Sequence, residues 1–318
     1  MTTPFPLLRL PRLALISVFM HMEPNEVIMF ALLSKRANKL SKCLRKLSAS
    51  SIDLVVENDS HHLTVLFMHR EELPFNTNNF WSTETILHKN VGLSVSEWIE
   101  RVQDVTNCKS LKRVDLRGSP RLDMCDALSS LNNISELYIH PGCPESFVEK
   151  ALRILSPVTN EINMWSIPFE NREEFRTFLK TNLDYLSIYY CASEIPKFEF
   201  SMDDVLIANP LKLQLIEGPS SVEDINQFFL NWLQNTIDSR MEHFSMNVRE
   251  NVNEDNLLNG LNAVSFLEER TFHYSKEIDF PFETFSSGYD IERVDGKKAT
   301  ITFVNSYPIR RIDFYIWS

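Results

Sequence analysis

The residues whose type and spacing could do chemistry are eight histidines and five cysteines in a chain of 318. His61-His62 beside Asp59, and His140-Pro-Gly-Cys143, could each begin a metal site. Adjacent residues on an extended chain point to opposite faces, so His61 and His62 do not converge on one ion. Pro-Gly marks a turn, and the tetrahedral set that His140 and Cys143 would open lacks two further ligands in the pattern. Neither the G-x-S-x-G nucleophile elbow nor the P-loop occurs. The acidic pairs Glu173-Glu174 and Glu268-Glu269 read as solvated helix faces. The sequence therefore predicts no enzyme, no cofactor and no metal.

The five cysteines, Cys43, Cys108, Cys125, Cys143 and Cys191, are odd in number and form no Cys-x-x-Cys pair. That pattern favours free thiols in a reducing compartment, cytoplasmic or nuclear. Net charge is −11, unevenly spread. Residues 1–48 hold eight Lys/Arg against two Asp/Glu, and the remainder 24 against 41. A body this acidic repels a phosphate backbone, so no nucleic-acid partner is expected.

With chemistry set aside, the elements themselves carry the information. Leu10, Leu13, Leu15, Ile16, Val18, Phe19, Met20 and Met22 run with hardly a polar break. On a helix they cover most of the circumference, which predicts burial on more than one side. Pro24 suits the first turn of a second helix, with Glu26 facing the positive end of its dipole and Val27, Ile28, Phe30, Ala31 and Leu33 following. A third stretch, 35–46, sets Ala37, Leu40, Leu44 and Leu47 three and four apart among basic residues. Three helices in about 40 residues sit near the size at which a domain needs outside support, so docking on a partner is expected. The apolar run Leu13–Met20 is broken by Ser17 and is too short to span a membrane, so no membrane partner is expected. No small-x-small cleavage site follows it, which argues against a signal peptide.

Leu10-Pro11, the Ile16/Val18/Phe19 run, Glu26-Val27-Ile28 and Leu33-Ser34-Lys35-Arg36 resemble the F-box pattern without a gap. The resemblance implies a compact helical hook, residues 4–48, that binds a SKP-family adaptor of cullin–RING ubiquitin ligases. Carried over by position, it nominates Leu10, Pro11, Leu13, Ile16, Phe19, Met22, Pro24, Val27, Ile28, Phe30 and Leu33 as adaptor contacts. The family often has an acidic residue where this chain has Leu13 and a Trp where it has Ala37, departures that lower the expected contact area.

Beyond the helices, Ile52–Val56 and Leu63–Met68 predict two short strands, and residues 71–94 read as loop, so 49–94 is taken as a linker with a short β-hairpin. From residue 95 an amphipathic helix followed by a clipped strand recurs. Strand centres fall at Val114, Leu137, Ile162, Leu186, Leu213 and Phe244, intervals of 23, 25, 24, 27 and 31 residues. Those periods sit at or just above the leucine-rich-repeat range, with Cys191 in the Asn/Cys position and a weak unit around 192–210. Asn171-x-x-Glu174 and Ser221-x-x-Asp224 mark helix starts. The expectation is an α/β chain in which the three-helix block is followed, over 95–318, by an irregular leucine-rich-repeat-like β/α solenoid ending in a β-hairpin. An ordinary α/β domain with evenly spaced strands is the competing reading.

The hairpin is signalled by Tyr289–Phe303, with Asp295-Gly296 as its turn, and Ile309–Trp317 adds a further strand. This ending, with Asn226-Gln-Phe-Phe-Leu-Asn-Trp-Leu233, resembles the F-box-associated type 2 region of the large nematode F-box family. Together the two resemblances imply a non-catalytic receptor that holds an unknown target protein for ubiquitin-dependent degradation. The alternative is an interaction scaffold outside any ligase. In leucine-rich-like strands the residues between core positions face the open surface. That rule nominates Arg113, Asp115, Glu136, Tyr138, Asn163, Trp165, Ser187, Tyr189, Gln214, Ser245 and Asn247 as target contacts.

Overall fold

A computed structural model describes residues 10–58, 60–73, 76–87, 92–189, 198, 201–216, 221–234, 239–248, 253–276, 282–306 and 309–317. Cys191 and Asp59 lie outside them. The chain divides into two compact units: Met1–Tyr138 with Gly142–Val158, and Ile139–Pro141 with Thr159–Ser318.

The first unit opens with α1 (Arg12–His21), α2 (Pro24–Leu32) and α3 (Lys35–Leu44). Each boundary has a local cause. Pro24 occupies the first helical position of α2, and Glu26 reaches back to the backbone N–H of Glu23 at 2.8 Å. Ser34 caps α3 by accepting from the Ala37 N–H at 3.1 Å. These bonds satisfy donors that a helix start otherwise leaves unpaired.

Next come β1 (Ser51–Glu57), β2 (Ser60–Leu73), β3 (Asn76–Leu87), α4 (Val95–Thr106), β4 (Leu111–Arg117), α5 (Met124–Leu128), β5 (Ile134–Ile139) and α6 (Glu145–Leu155). Within this unit the strands lie in the order β5-β4-β1-β2-β3. Strand β1 runs parallel to β4, with Leu54 opposite Val114, and antiparallel to β2. The loop expected over 71–94 is corrected: β2 and β3 form one long hairpin from His62–Leu87 to Leu73–Asn76. The strand expected over Leu63–Met68 lies within β2; beyond it the sequence is rich in Asn, Thr and Glu, so apolar alternation does not announce the rest, and pairing comes from the backbone.

The second unit holds β6 (Thr159–Met164), α7 (Arg172–Leu179), β7 (Tyr185–Tyr189), α8 (Met202–Leu206), β8 (Lys212–Ile216), α9 (Val222–Gln234) and β9 (His243–Val248). After α10 (Glu254–Leu257) come β10 (Val264–Phe266), β11 (Arg270–His273), β12 (Phe282–Phe285), β13 (Gly288–Glu292), β14 (Lys298–Ser306) and β15 (Ile309–Ile316). Strands β6, β7, β8 and β9 pair in parallel and in sequence order. Parallel crossovers are right-handed, so successive ones in one direction put their helices on the same face. Consistent with this, α7 packs on α8 and α8 on α9. Ile162, Leu186, Leu213 and Phe244 are buried. On their side of the sheet, Phe228 of α9 lies 5.3 Å from Phe244 and 5.9 Å from Phe314.

The parallel run stops at β9, whose other edge is taken by antiparallel β15, followed by β14, β13 and β10. The result is a mixed sheet in an α/β chain, where an irregular leucine-rich-repeat-like solenoid was expected. The closing hairpin is as anticipated, with Gly296 at φ 89° in its turn. Strands β11 and β12 form a separate two-stranded sheet that the sequence reading left unassigned.

Candidate functional site

The opening helices sort their apolar residues into two sets. Leu15 and Phe19 of α1 and Val27, Ile28, Ala31 and Leu32 of α2 are buried, as is Ala37 of α3. This interior is closed by the chain itself, because α4 packs against α2 and α3 and β3 against α2. Arg101 of α4 donates to the Leu32 carbonyl at 2.9 Å, Ala49 donates to the Thr106 carbonyl at 3.0 Å, and Lys42 meets Asp104 at 3.0 Å. A groove of about 520 Å³ between α3 and α4 is walled by Lys35, Lys39 and Lys42 on one side and Glu97, Glu100 and Asp104 on the other. The expectation that only a partner could support this block is thereby corrected.

The second set faces outward. Leu13 is 82% exposed, Met20 61%, Met29 47% and Leu33 68%. Leu13, Ile16 and Met20 are three and four residues apart, which aligns them on one face of α1. Met29 and Leu33 are four apart along α2, and Phe30 beside them meets Phe19 edge-on at 5.1 Å. Of the residues nominated by position, Pro11, Leu13 and Leu33 are exposed, Leu10, Ile16, Met22 and Phe30 half-buried, and Phe19, Pro24, Val27 and Ile28 buried. Helical spacing alone finds Met20, which follows Ile16 by four, and Met29, which precedes Leu33 by four. Carry-over by position passed over both.

The residues nominated for target contact fall in both units. In the first, Arg113 donates to Glu136 at 2.7 and 2.9 Å and lies over the Tyr138 ring at 4.4 Å. Asp115 is buried and accepts from Arg117 at 2.8 Å. Asp53, opposite Arg113 in the register, has its carboxyl held above the usual range. Burial is the main cause, and Asp115 and Glu136 add to it against the opposing pull of Arg113.

In the second unit, Asn163, Ser187, Gln214, Ser245, Asp313 and Thr302 sit directly opposite one another across six strands. The register aligns them as one polar row on the face away from the helices. Asn163, Ser187 and Ser245 are buried, Asn247 is half-buried, and half-buried Gln214 accepts from the Tyr185 hydroxyl. Above the row Trp165 and Tyr189 stack at 4.1 Å with planes 12° apart. Sequence reasoning nominated each ring separately and did not foresee their contact. It also missed Asp204, which is 0% exposed and accepts from Arg172 at 2.9 Å and Arg176 at 2.7 Å. The signal was present in Ser201-x-x-Asp204, a helix-start pattern within the stretch taken as weak.

Among the described residues, no group of three or more His, Cys, Asp or Glu converges as a metal ion requires, and no helix is long and apolar enough to cross a membrane. No curated protein matches the chain. Residues 7–49 match the family model described as the F-box domain, and residues 174–246 match the one described as F-box associated. The chain carries an F-box domain and, in its second unit, an F-box-associated region.

Proposed function

We propose that this chain is a non-catalytic substrate-recognition subunit of a SKP–cullin–F-box ubiquitin ligase. The observation that carries the proposal is the outward apolar stripe on α1 and α2. A chain that buries Phe19, Val27 and Ile28 leaves Leu13, Met20 and Leu33 in water. Covering each such side chain is worth about 1.5–3 kcal/mol, so the stripe is a surface awaiting a partner. Within the F-box match, that partner is a SKP-family adaptor and, through it, a cullin–RING ligase. The nominated residues that reach the surface, Leu10, Pro11, Leu13, Ile16, Met22, Phe30 and Leu33, make the contact.

Residues beyond the F-box hold a target protein, and catalysis is proximity, which raises the local concentration of the target at the ubiquitin-charged enzyme. The Trp165–Tyr189 stack anchors the target, because exposed aromatic clusters concentrate binding energy. We read the strand–helix units from β6 to β9 in the second unit as a degenerate leucine-rich-like array, a reading supported by the parallel order of those strands. The working compartment is the cytoplasm or nucleus.

Co-purification tests the assignment: adaptor and cullin must come down together with the full chain, and the double change Leu10→Ala with Pro11→Ala must abolish adaptor capture while the fold persists. Retained capture in that variant counts against it. One observation favours the scaffold reading, namely that α2 is sealed against α4 of the same chain. Adaptor capture without any cullin would support it.

A further inference from the structure

The β11–β12 hairpin lies on the polar side of the second unit's sheet. Phe272 and Tyr274 form an apolar cluster there with Leu211 and Tyr315, flanked by Phe285 and Trp317. Polar ties hold the hairpin among the described residues: Arg270 of β11 pairs with Asp290 of β13 at 2.8 Å and Lys276 with Asp184 at 3.0 Å, and three more reach His243, Lys212 and Glu242. The Tyr274 hydroxyl is 2.6 Å from His243 Nδ1, Lys212 Nζ is 3.1 Å from Glu283, and the Ser275 N–H donates to Glu242 at 2.9 Å. His243 is 1% exposed, and its other nitrogen, Nε2, is 3.1 Å from Asp313 Oδ1.

Hydrogen-bond bookkeeping fixes the protons. Burial alone would raise the Asp313 carboxyl, but donors and charge from His243, Arg311 and Ser245 outweigh it and hold it below the usual range. Asp313 is therefore an anion, so Nε2 of His243 carries hydrogen and donates to it. Nδ1 is then the acceptor and Tyr274 the donor. Burial lowers the His243 pKa, and the Asp313 bond only partly opposes this, so the ring is neutral.

We propose that the β11–β12 hairpin is an acid-sensitive strap, latched to the sheet by Tyr274 donating to neutral His243 and loosened when His243 takes up a proton. The proton turns Nδ1 into a donor, and the Tyr274 hydroxyl loses the acceptor it had. It also adds a charge where the existing ones are already matched. Lys212 of β8 pairs with Glu283 of the strap, and Arg311 pairs with Asp313 on β15 at 2.8 Å. The other titratable groups facing the ring are Tyr315 of β15, stacked on it at 4.3 Å, and Glu242 beside it on the chain, while Tyr185 of β7 lies beneath Lys212. Burial keeps the Tyr315 hydroxyl neutral, and the Glu242 carboxylate is engaged by the Ser275 N–H at 2.9 Å. Release uncovers the Lys212–His243–Tyr315 row next to the face nominated for target contact. The strap is a property of the fold and stands apart from the ligase assignment.

Hydrogen exchange on the full chain at about pH 7.5 and about pH 5, corrected for intrinsic rates, reads the latch directly. The expected result is that residues 270–276 and 282–285 lose protection in acid by about tenfold more than β7 and β8 do, reversibly. Equal loss in strap and strands overturns the proposal. His243→Gln keeps a donor and an acceptor but does not titrate, so it must remove the acid response, and a variant that keeps the response also overturns it. Should His243→Gln not fold, nitrogen NMR of the parent chain decides. The expected ring at neutral pH is neutral with hydrogen on Nε2, and an imidazolium there ends the idea.

Discussion

Trp165 lies flat on Tyr189, their ring centroids 4.1 Å apart, at the C-terminal ends of neighbouring parallel strands. Trp165 is nevertheless 36% exposed, so part of a large aromatic surface still faces water. Stacking of this kind is worth about 0.5–1.5 kcal/mol. Trp165→Ala should therefore lower urea stability by about 1 kcal/mol while cutting target capture by about tenfold or more. Unchanged capture would remove the pair from the proposed target face.

The two apolar sets of the opening helices should part company under mutation. Leu13→Asp with Leu33→Asp places charge on exposed positions and should leave the melting temperature nearly unchanged while adaptor capture is lost. Val27→Ala or Ile28→Ala removes buried methyl groups and should cost about 1–4 kcal/mol of stability. A large loss of stability from the exposed pair would show that α1 and α2 turn that face toward their own chain.

Asp204 collects charged donors from Arg172 and Arg176 and the N–H of Ser201 while fully buried. Asp204→Asn weakens all three and should destabilise the chain by about 2–3 kcal/mol in denaturant unfolding. A change within a few tenths of a kcal/mol would mean that water replaces the carboxylate at little cost.

Asp53 should behave in the opposite sense. Its Oδ1 is buried without a hydrogen-bond partner among the described residues, and burial leads the upward shift of its pKa, with Asp115 and Glu136 adding to it. A carboxyl with a raised folded pKa holds its proton more tightly in the folded state than in the unfolded one. Its charged form is thus a liability at neutrality that fades as pH falls through the folded pKa toward the unfolded value near 3.8. Asp53→Asn should raise the urea midpoint at about pH 7, with the gain shrinking toward about pH 4. A variant less stable than its parent at neutrality contradicts the sign.

Much of this fold was legible because apolar periodicity is a direct image of burial. Leu111-x-x-Val114-x-Leu116 became β4, Ile134-x-x-Leu137-x-Ile139 became β5, and the Asn171 and Ser221 patterns became helix starts, with a reciprocal pair of bonds at Ser221 and a single cap at Asn171. Of the β2–β3 hairpin only Leu63–Met68 was legible, through the alternation of buried Leu63, Val65 and Phe67, and the polar remainder takes its order from the partner strand. Insertion of β1 between β2 and β4 was equally hidden, because pairing between residues 53 and 113 leaves no local trace. Position along a motif located the three opening helices but could not separate exposed Leu13 from buried Phe19. That division depends on α4 and β3, which lie far along the chain.

Arg101 clasping the Leu32 carbonyl gives the amino-terminal hook a second owner. A graft that moves residues 7–49 onto a foreign body would carry the family match but leave its foundation behind, exposing Val27 and Ile28 to solvent. Chimeras of this chain should accordingly be cut after α4, where the mount travels with what it supports.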